Sequence, residues 1–176
     1  MDCKIEESRC KLNHAYTSFD AKSVNESFAR MVVMAFMTDM NPTLDELEDV
    51  KTAISEAVTN AIIHGYNVET EEGQALKENF QVEVSCKREG QKLVVSVADH
   101  GVGIADIETA KQPFFTTKPE QERSGMGFSF MESFMDEVHI ESVLGLGTKV
   151  TMKKVIEKVL SNEENKEFDV THRGTD

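Results

Sequence analysis

Apolar positions repeat along this chain with two different periods, and the change from one to the other separates a helical first part from a stranded second part. His14-Ala-Tyr-Thr-Ser-Phe19 alternates apolar and polar residues and predicts a short strand. Phe28, Met31, Val32, Ala35, Phe36 and Met40 then recur at helical spacing, the expected core face of a first helix. Ser23 precedes it with Glu26 three residues on, the pattern of a capping box. Asn41-Pro42 breaks that helix, and Thr43, with Glu46 at the third helical position, caps the next. Leu44, Leu47, Val50, Ile54, Ala57, Val58, Ala61 and Ile62 keep the helical period until Gly65 ends the element.

After a Glu-rich polar loop at 66–79 the period falls to two. Phe80–Cys86 and Leu93–Ala98 predict strands, joined through Arg88-Glu-Gly90-Gln91 as an antiparallel hairpin. Residues 104–124 look largely irregular, a length that is uncommon in a loop without a function. Met126–Phe134 predicts a helix with Phe128, Met131 and Phe134 as candidates for burial. Glu137–Val143 and Thr148–Lys153 predict strands joined across Leu144-Gly-Leu-Gly147. Residues 154–176 start with helical character and end as a polar tail. Helices first and an antiparallel sheet after them predict an α+β fold, a two-layer sandwich of helices on a mixed, mainly antiparallel sheet. No repeat or linker divides the chain. The expected organisation is a flexible extension over 1–13, one domain over 14–154 and a polar tail over 155–176.

Composition narrows the functional classes. The chain has 176 residues, 39% hydrophobic and 29% charged, which suits a soluble globular protein with a full core. No apolar run approaches the ~18–20 residues of a membrane span, and Met1-Asp-Cys-Lys-Ile-Glu-Glu7 has no apolar core of the kind a signal peptide needs, so a cytoplasmic protein is expected. Cys3, Cys10 and Cys86 lack metal-site spacing and read as reduced thiols. A formal net charge of −13 opposes direct nucleic-acid binding and suits protein partners. It also means that any bound nucleotide needs local cations, backbone N–H groups or Mg²⁺.

Candidate chemistry sits at four places. Glu56 and Asn60 are four residues apart and share one face of the second helix, where a carboxylate can serve as general base and a carboxamide oxygen can meet Mg²⁺. Asp99-His-Gly101-Val-Gly103 closes a strand with a carboxylate suited to an adenine amine and glycines that allow close approach. Ser124-Gly125-Met126-Gly127 opens a helix whose amides favour phosphate, and Thr116, Thr117, Lys118 and Arg123 upstream suit a closing lid. Gly145-Leu-Gly147-Thr148 lies between two strands. Each has a plain structural alternative: a solvated stripe, an Asp/Gly turn, a glycine-flexible junction with a solvated basic loop, and a tight hairpin. His64, one further turn past Asn60, reads as packing or hydrogen bonding at the helix end, with a ligand role as the alternative. P-loop, ordinary protein-kinase, nucleophile-elbow and H-E-x-x-H zinc signatures are all missing.

Taken in order, the four elements resemble the Bergerat ATP-binding fold of gyrase, Hsp90, histidine kinases and MutL. Asn25-Glu-Ser-Phe-Ala-Arg30, Ser55–Tyr66 and Gln112–Phe128 are similar to the sporulation anti-sigma F factors of endospore-forming bacteria, over about residues 14–154. The resemblance implies a homodimeric serine kinase that uses ATP and Mg²⁺. It would hold sporulation sigma factor F away from RNA polymerase and phosphorylate an anti-anti-sigma protein. By the same resemblance Glu56 is the base, Asn60 the Mg²⁺ ligand, and Asp99 the adenine reader with room made by Gly101 and Gly103. Thr116, Thr117, Lys118, Arg123, Ser124, Gly125, Met126 and Gly127 form the lid and phosphate cradle, Thr148 lies near adenine, and Arg30 touches both protein partners. An ATP-gated anti-sigma module without kinase activity, or a stress-response anti-sigma kinase, are the alternatives. A histidine kinase would need a phospho-accepting hairpin, for which no room is expected before residue 14, and a gyrase- or MutL-type ATPase would need transducer domains.

Overall fold

Two-residue alternation near the start of the chain and again after residue 80 becomes a five-stranded sheet whose strands each turn one row of side chains toward a layer of helices. The computed structural model describes residues 12–66, 80–113 and 125–157. The strands are β1 (Leu12–Asp20), β2 (Gln81–Glu89), β3 (Lys92–Asp99), β4 (Glu137–Val143) and β5 (Gly147–Val155). Their order is β1-β2-β3-β5-β4, and every described pairing is antiparallel. On β3 the inward row is Leu93, Val95, Val97 and Asp99, so strand period alone carries the aspartate into the interior. In register, Asp99 lies between Val82 of β2 and Thr148 of β5.

The helical layer is α1 (Asn25–Met37), α2 (Leu44–Asn60), the single turn α3 (Ile107–Ala110) and α4 (Gly127–Phe134). Helix α2 is central, with α1 and α4 both packed on it. Thr43 forms the expected capping box: its hydroxyl accepts from the Glu46 amide at 3.2 Å, and the Glu46 carboxylate accepts from the Thr43 amide at 2.7 Å. That carboxylate also receives the Glu157 amide at 2.7 Å, which ties the end of β5 to the start of α2. Lys154 and Val155 continue β5 instead of starting a helix, and Ile156 is buried. Cys86 is buried within the core, which pushes its thiol pKa up to about 12 and keeps it protonated. Cys3 and Cys10 lie outside the described residues.

Helix α1 departs from expectation twice. Its buried face is Ala29, Val33 and Met37, followed by Met40 in the 3₁₀ turn Thr38–Met40, while Phe28 and Met31 are 48% and 67% exposed. Both sets of residues have helical spacing, and the way α1 packs on α2, not the period, selects which row is buried. Phe28 stays attached at one edge, its ring meeting Phe19 at 5.7 Å and 84°. The capping box at Ser23 does not form. Val24 takes the N-cap place in helical conformation, whereas a capping hydroxyl needs an extended residue there. The Glu26 carboxylate turns instead to Arg30 at 3.3 Å.

Candidate functional site

Glu56 and Asn60 occupy the last turn of α2, after which the backbone widens into a π turn over Ala61–Gly65. Such turns recur at functional sites because they re-aim the chain without ending it. Here the turn delivers Gly65 onto the loop after β3. The Gly65 carbonyl accepts the Val102 amide at 2.7 Å, and the Asp99 carboxyl lies so close to Gly65 that a methyl group there would stand 2.7 Å from it. A Cβ on Gly101 would lie 1.8 Å from the Gly65 carbonyl oxygen, so only glycine lets the two chain segments meet. Gly103, at φ +71°, faces the Val143 carbonyl at 2.3 Å from its ideal Cβ position. The space these two glycines leave is filled by backbone, and it closes one wall of the site.

Helix α4 supplies the opposite wall. A methyl group at Gly127 would stand 3.0 Å from Glu56 Oε2 and 3.1 Å from Asn60 Nδ2. Both side chains therefore end against the first residue of α4, and the i,i+4 spacing produces a real convergence. Between the walls is a cavity of about 530 Å³. Glu56, Asn60, Asp99, Gly103, Gly125, Met126, Gly127 and Thr148 line it, together with His64, Val102 and Phe128 and with Ile104, Asp106, Thr109 and Ala110, for which the sequence held no signal. Gly101 shapes the wall from behind. Arg30 lies away from the cavity on α1, hydrogen-bonded to Ser27 at 3.0 Å and Ser55 at 3.5 Å. Thr116, Thr117, Lys118, Arg123 and Ser124 lie outside the described residues.

Asp99 is the electrostatic centre of the cavity. Burial pushes its carboxyl pKa upward, and the Gly101 amide at 2.9 Å, the Thr148 backbone and nearby His100 only partly offset that rise. Thr148 shares its hydroxyl hydrogen with Ser142 at 2.8 Å, and Ser142 also accepts the Ile104 amide at 2.8 Å. Tyr66 braces the floor from beneath. Its hydroxyl donates to the Gln81 carbonyl and accepts the His100 amide at 3.0 Å, and its ring stacks on Phe80 at 4.4 Å. Nothing in spacing or period marked Tyr66 or Ser142, because their value lies in contacts across the sheet.

No three described His, Cys, Asp or Glu side chains converge as a metal cage. One carboxamide beside one carboxylate fits Mg²⁺ whose remaining ligands are phosphate oxygens and water, and does not fit a structural metal. The described lining contains no Lys or Arg. Near α4, anion-binding capacity comes from the helix start, where no side chain caps the first amides. No helix among the described residues is long and apolar enough to cross a membrane.

Residues 18–154 match the histidine kinase-like ATPase domain family. The chain is 53% identical over 146 residues to the anti-sigma F factor of Geobacillus kaustophilus, covering 83% of this chain and 94% of that protein. It is 49% identical over 146 residues to the anti-sigma F factor of Bacillus subtilis, with the same coverage of 83% and 94%. Among solved structures, the RsbU and RsbW domains of a Mycobacterium tuberculosis protein align with a TM-score of 0.54 at 19% identity, covering 82% of this chain and 32% of that one, a likeness of fold. The chain belongs to the anti-sigma F factors, built on a histidine kinase-like ATPase domain.

Proposed function

We propose that this protein binds Mg-ATP in the cavity between α2, β3 and α4, phosphorylates a serine of an anti-anti-sigma protein, and sequesters sporulation sigma factor F. The observation that carries the kinase reading is the convergence of Glu56 and Asn60 on the first residue of α4 beside the buried Asp99. A module that used ATP only to set its conformation would have no need of a carboxylate there.

In this reading Asp99 accepts from the adenine amine, and Thr148 flanks the base. The amides of Gly125, Met126 and Gly127 meet phosphate at the positive end of α4, and Thr116, Thr117, Lys118, Arg123 and Ser124 complete the enclosure. Asn60 would hold Mg²⁺, which supplies charge neutralisation along the phosphates when bound. Glu56 takes the proton from the acceptor serine hydroxyl. The serine oxygen bonds to the γ-phosphorus, the bond from that phosphorus to the β,γ-bridging oxygen breaks, and ADP leaves. Alignment and charge stabilisation provide most of the acceleration, with the base adding about 10²–10⁴-fold. Arg30, on a helix that exposes Phe28 and Met31 and is preceded by the exposed Val24, suits a surface shared by competing protein partners. A cytoplasmic homodimer completes the reading.

The test is phosphoryl transfer from labelled ATP to the cognate anti-anti-sigma protein. The wild type should yield phosphoserine, and Glu56→Gln should retain nucleotide binding while slowing transfer about 10²-fold or more. No phosphoserine with the wild type would leave the ATP-gated binding module as the function. Recovery of a stress sigma factor in place of sigma F from cells would move the protein to a stress regulon.

A further inference from the structure

A second cavity, of about 320 Å³, opens on the α1 side of α2. Among the described residues, Ser23 and Glu26 line it from the α1 side, with Ser55, Glu56 and Thr59 opposite and Ile62 and Ile63 beside them. Glu56 and Thr59 line the larger cavity as well, so the Glu56 residue forms a wall common to both. The polar groups of the smaller cavity are hydroxyls and carboxylates, all able to accept hydrogen bonds. It therefore suits a segment that brings donors, such as a serine hydroxyl and free backbone N–H groups.

Among the described residues, Glu26 and Glu56 are the two ionisable ones lining this cavity. Glu26 Oε1 is buried and accepts no hydrogen bond from any described residue; its charge is held by Arg30 at 3.3 Å. Arg30 in turn reaches Ser55 on α2. An uncharged hydroxyl can enter between two carboxylates and be deprotonated by one of them. A phosphoserine carries about −1.5 to −2 charges and would face both. Discrimination of this kind comes from a repulsive element as much as from an attractive one.

The geometry points to this second cavity as the port through which the acceptor serine reaches Glu56, with Glu26 as the residue that makes the port reject the phosphorylated product. This rests on the kinase reading above. The phosphoryl group would arrive from one cavity and the hydroxyl from the other, meeting at Glu56.

The experiment uses the full chain, Mg-ATP, and the anti-anti-sigma protein in unmodified and serine-phosphorylated forms. Affinities for both forms and for ATP are measured in the wild type, Glu26→Gln and Ser23→Trp. Glu26→Gln should shift the ratio of phosphorylated to unmodified affinity toward the phosphorylated form by about tenfold, with ATP affinity unchanged. A role confined to holding Arg30 would weaken both forms together and leave the ratio fixed, which overturns the assignment. Ser23→Trp, at an exposed position, should raise the KM for the acceptor about tenfold without altering ATP affinity. If the wild type transfers phosphate and both variants match it in acceptor KM and affinity ratio, the port is wrong and the kinase reading stands. If the wild type transfers none, the kinase reading fails and the port fails with it.

Discussion

Glu46 and Asp99 are the two carboxylates among the described residues that the fold buries, and they have opposite electrostatic fates. For Glu46 burial alone would raise the pKa, but the Glu157 and Thr43 amides, the Thr43 hydroxyl and Lys154 outweigh it, and the net shift is downward. For Asp99 burial wins over the Gly101 and Thr148 amides and His100, and the shift is upward. The protein thus compensates the burial of one carboxylate in full and of the other only in part, and the second faces a cavity. A structural acid is finished by its own fold; an acid that reads a ligand is finished by the ligand. In the proposed function that ligand is adenine.

The contrast can be broken most severely at Gly101, whose amide is a hydrogen-bond donor to Asp99 and whose missing Cβ admits the Gly65 carbonyl. Gly101→Ala forces backbone against backbone and should cost about 3 kcal/mol or more, read as a loss of cooperative folding or a steep fall in the denaturant midpoint. Glu46→Ala removes the capping box and strands the Glu157 amide, and chemical denaturation should show a loss of about 1–3 kcal/mol. Tyr66→Phe deletes the hydroxyl between Gln81 and His100 and should cost about 1–2 kcal/mol, with ATP affinity falling as the floor beneath Asp99 loosens. Met31→Ser, on the exposed side of α1, should change stability by less than about 0.5 kcal/mol.

The pH dependence sharpens the comparison by sign. The lowered pKa of Glu46 contributes stability present above its ordinary range and lost as pH falls through the folded value. The raised pKa of Asp99 contributes stability present below the ordinary aspartate value of 3.8 and lost as pH rises through the folded value. Melting curves should therefore show Asp99→Asn gaining on the wild type as pH rises above that value, while Glu46→Gln loses most at neutral pH and converges on it in acid.

Asp99 and Thr43 were legible in the sequence because each depends on local chain geometry: a period-two strand that ends inward, and a hydroxyl three residues before a carboxylate. The Glu56/Asn60 pair was legible for the same reason, and the convergence on Gly127 adds what opposes it. The face of α1 was legible only in part: Met40 is buried and Phe36 packs on the core as expected, but Ala29, Val33 and Met37 are buried where Phe28 and Met31 were expected, a choice that period alone does not make. Gly101 was marked for closeness, but its neighbour is the π turn after α2, a partner fixed by tertiary structure. Glu26 was assigned to a cap because its use by Arg30 depends on the conformation of Val24.

The most direct measurement titrates Mg-ATP into the wild type and Asp99→Asn at neutral pH, with the melting temperature of each apo protein recorded alongside. The variant should lose about 10²-fold or more in ATP affinity while melting at or above the wild-type temperature, because the buried Asp99 carboxylate serves the ligand at the expense of the empty fold. Wild-type ATP affinity in the variant would contradict this role for Asp99, as would a variant that loses binding only because it unfolds.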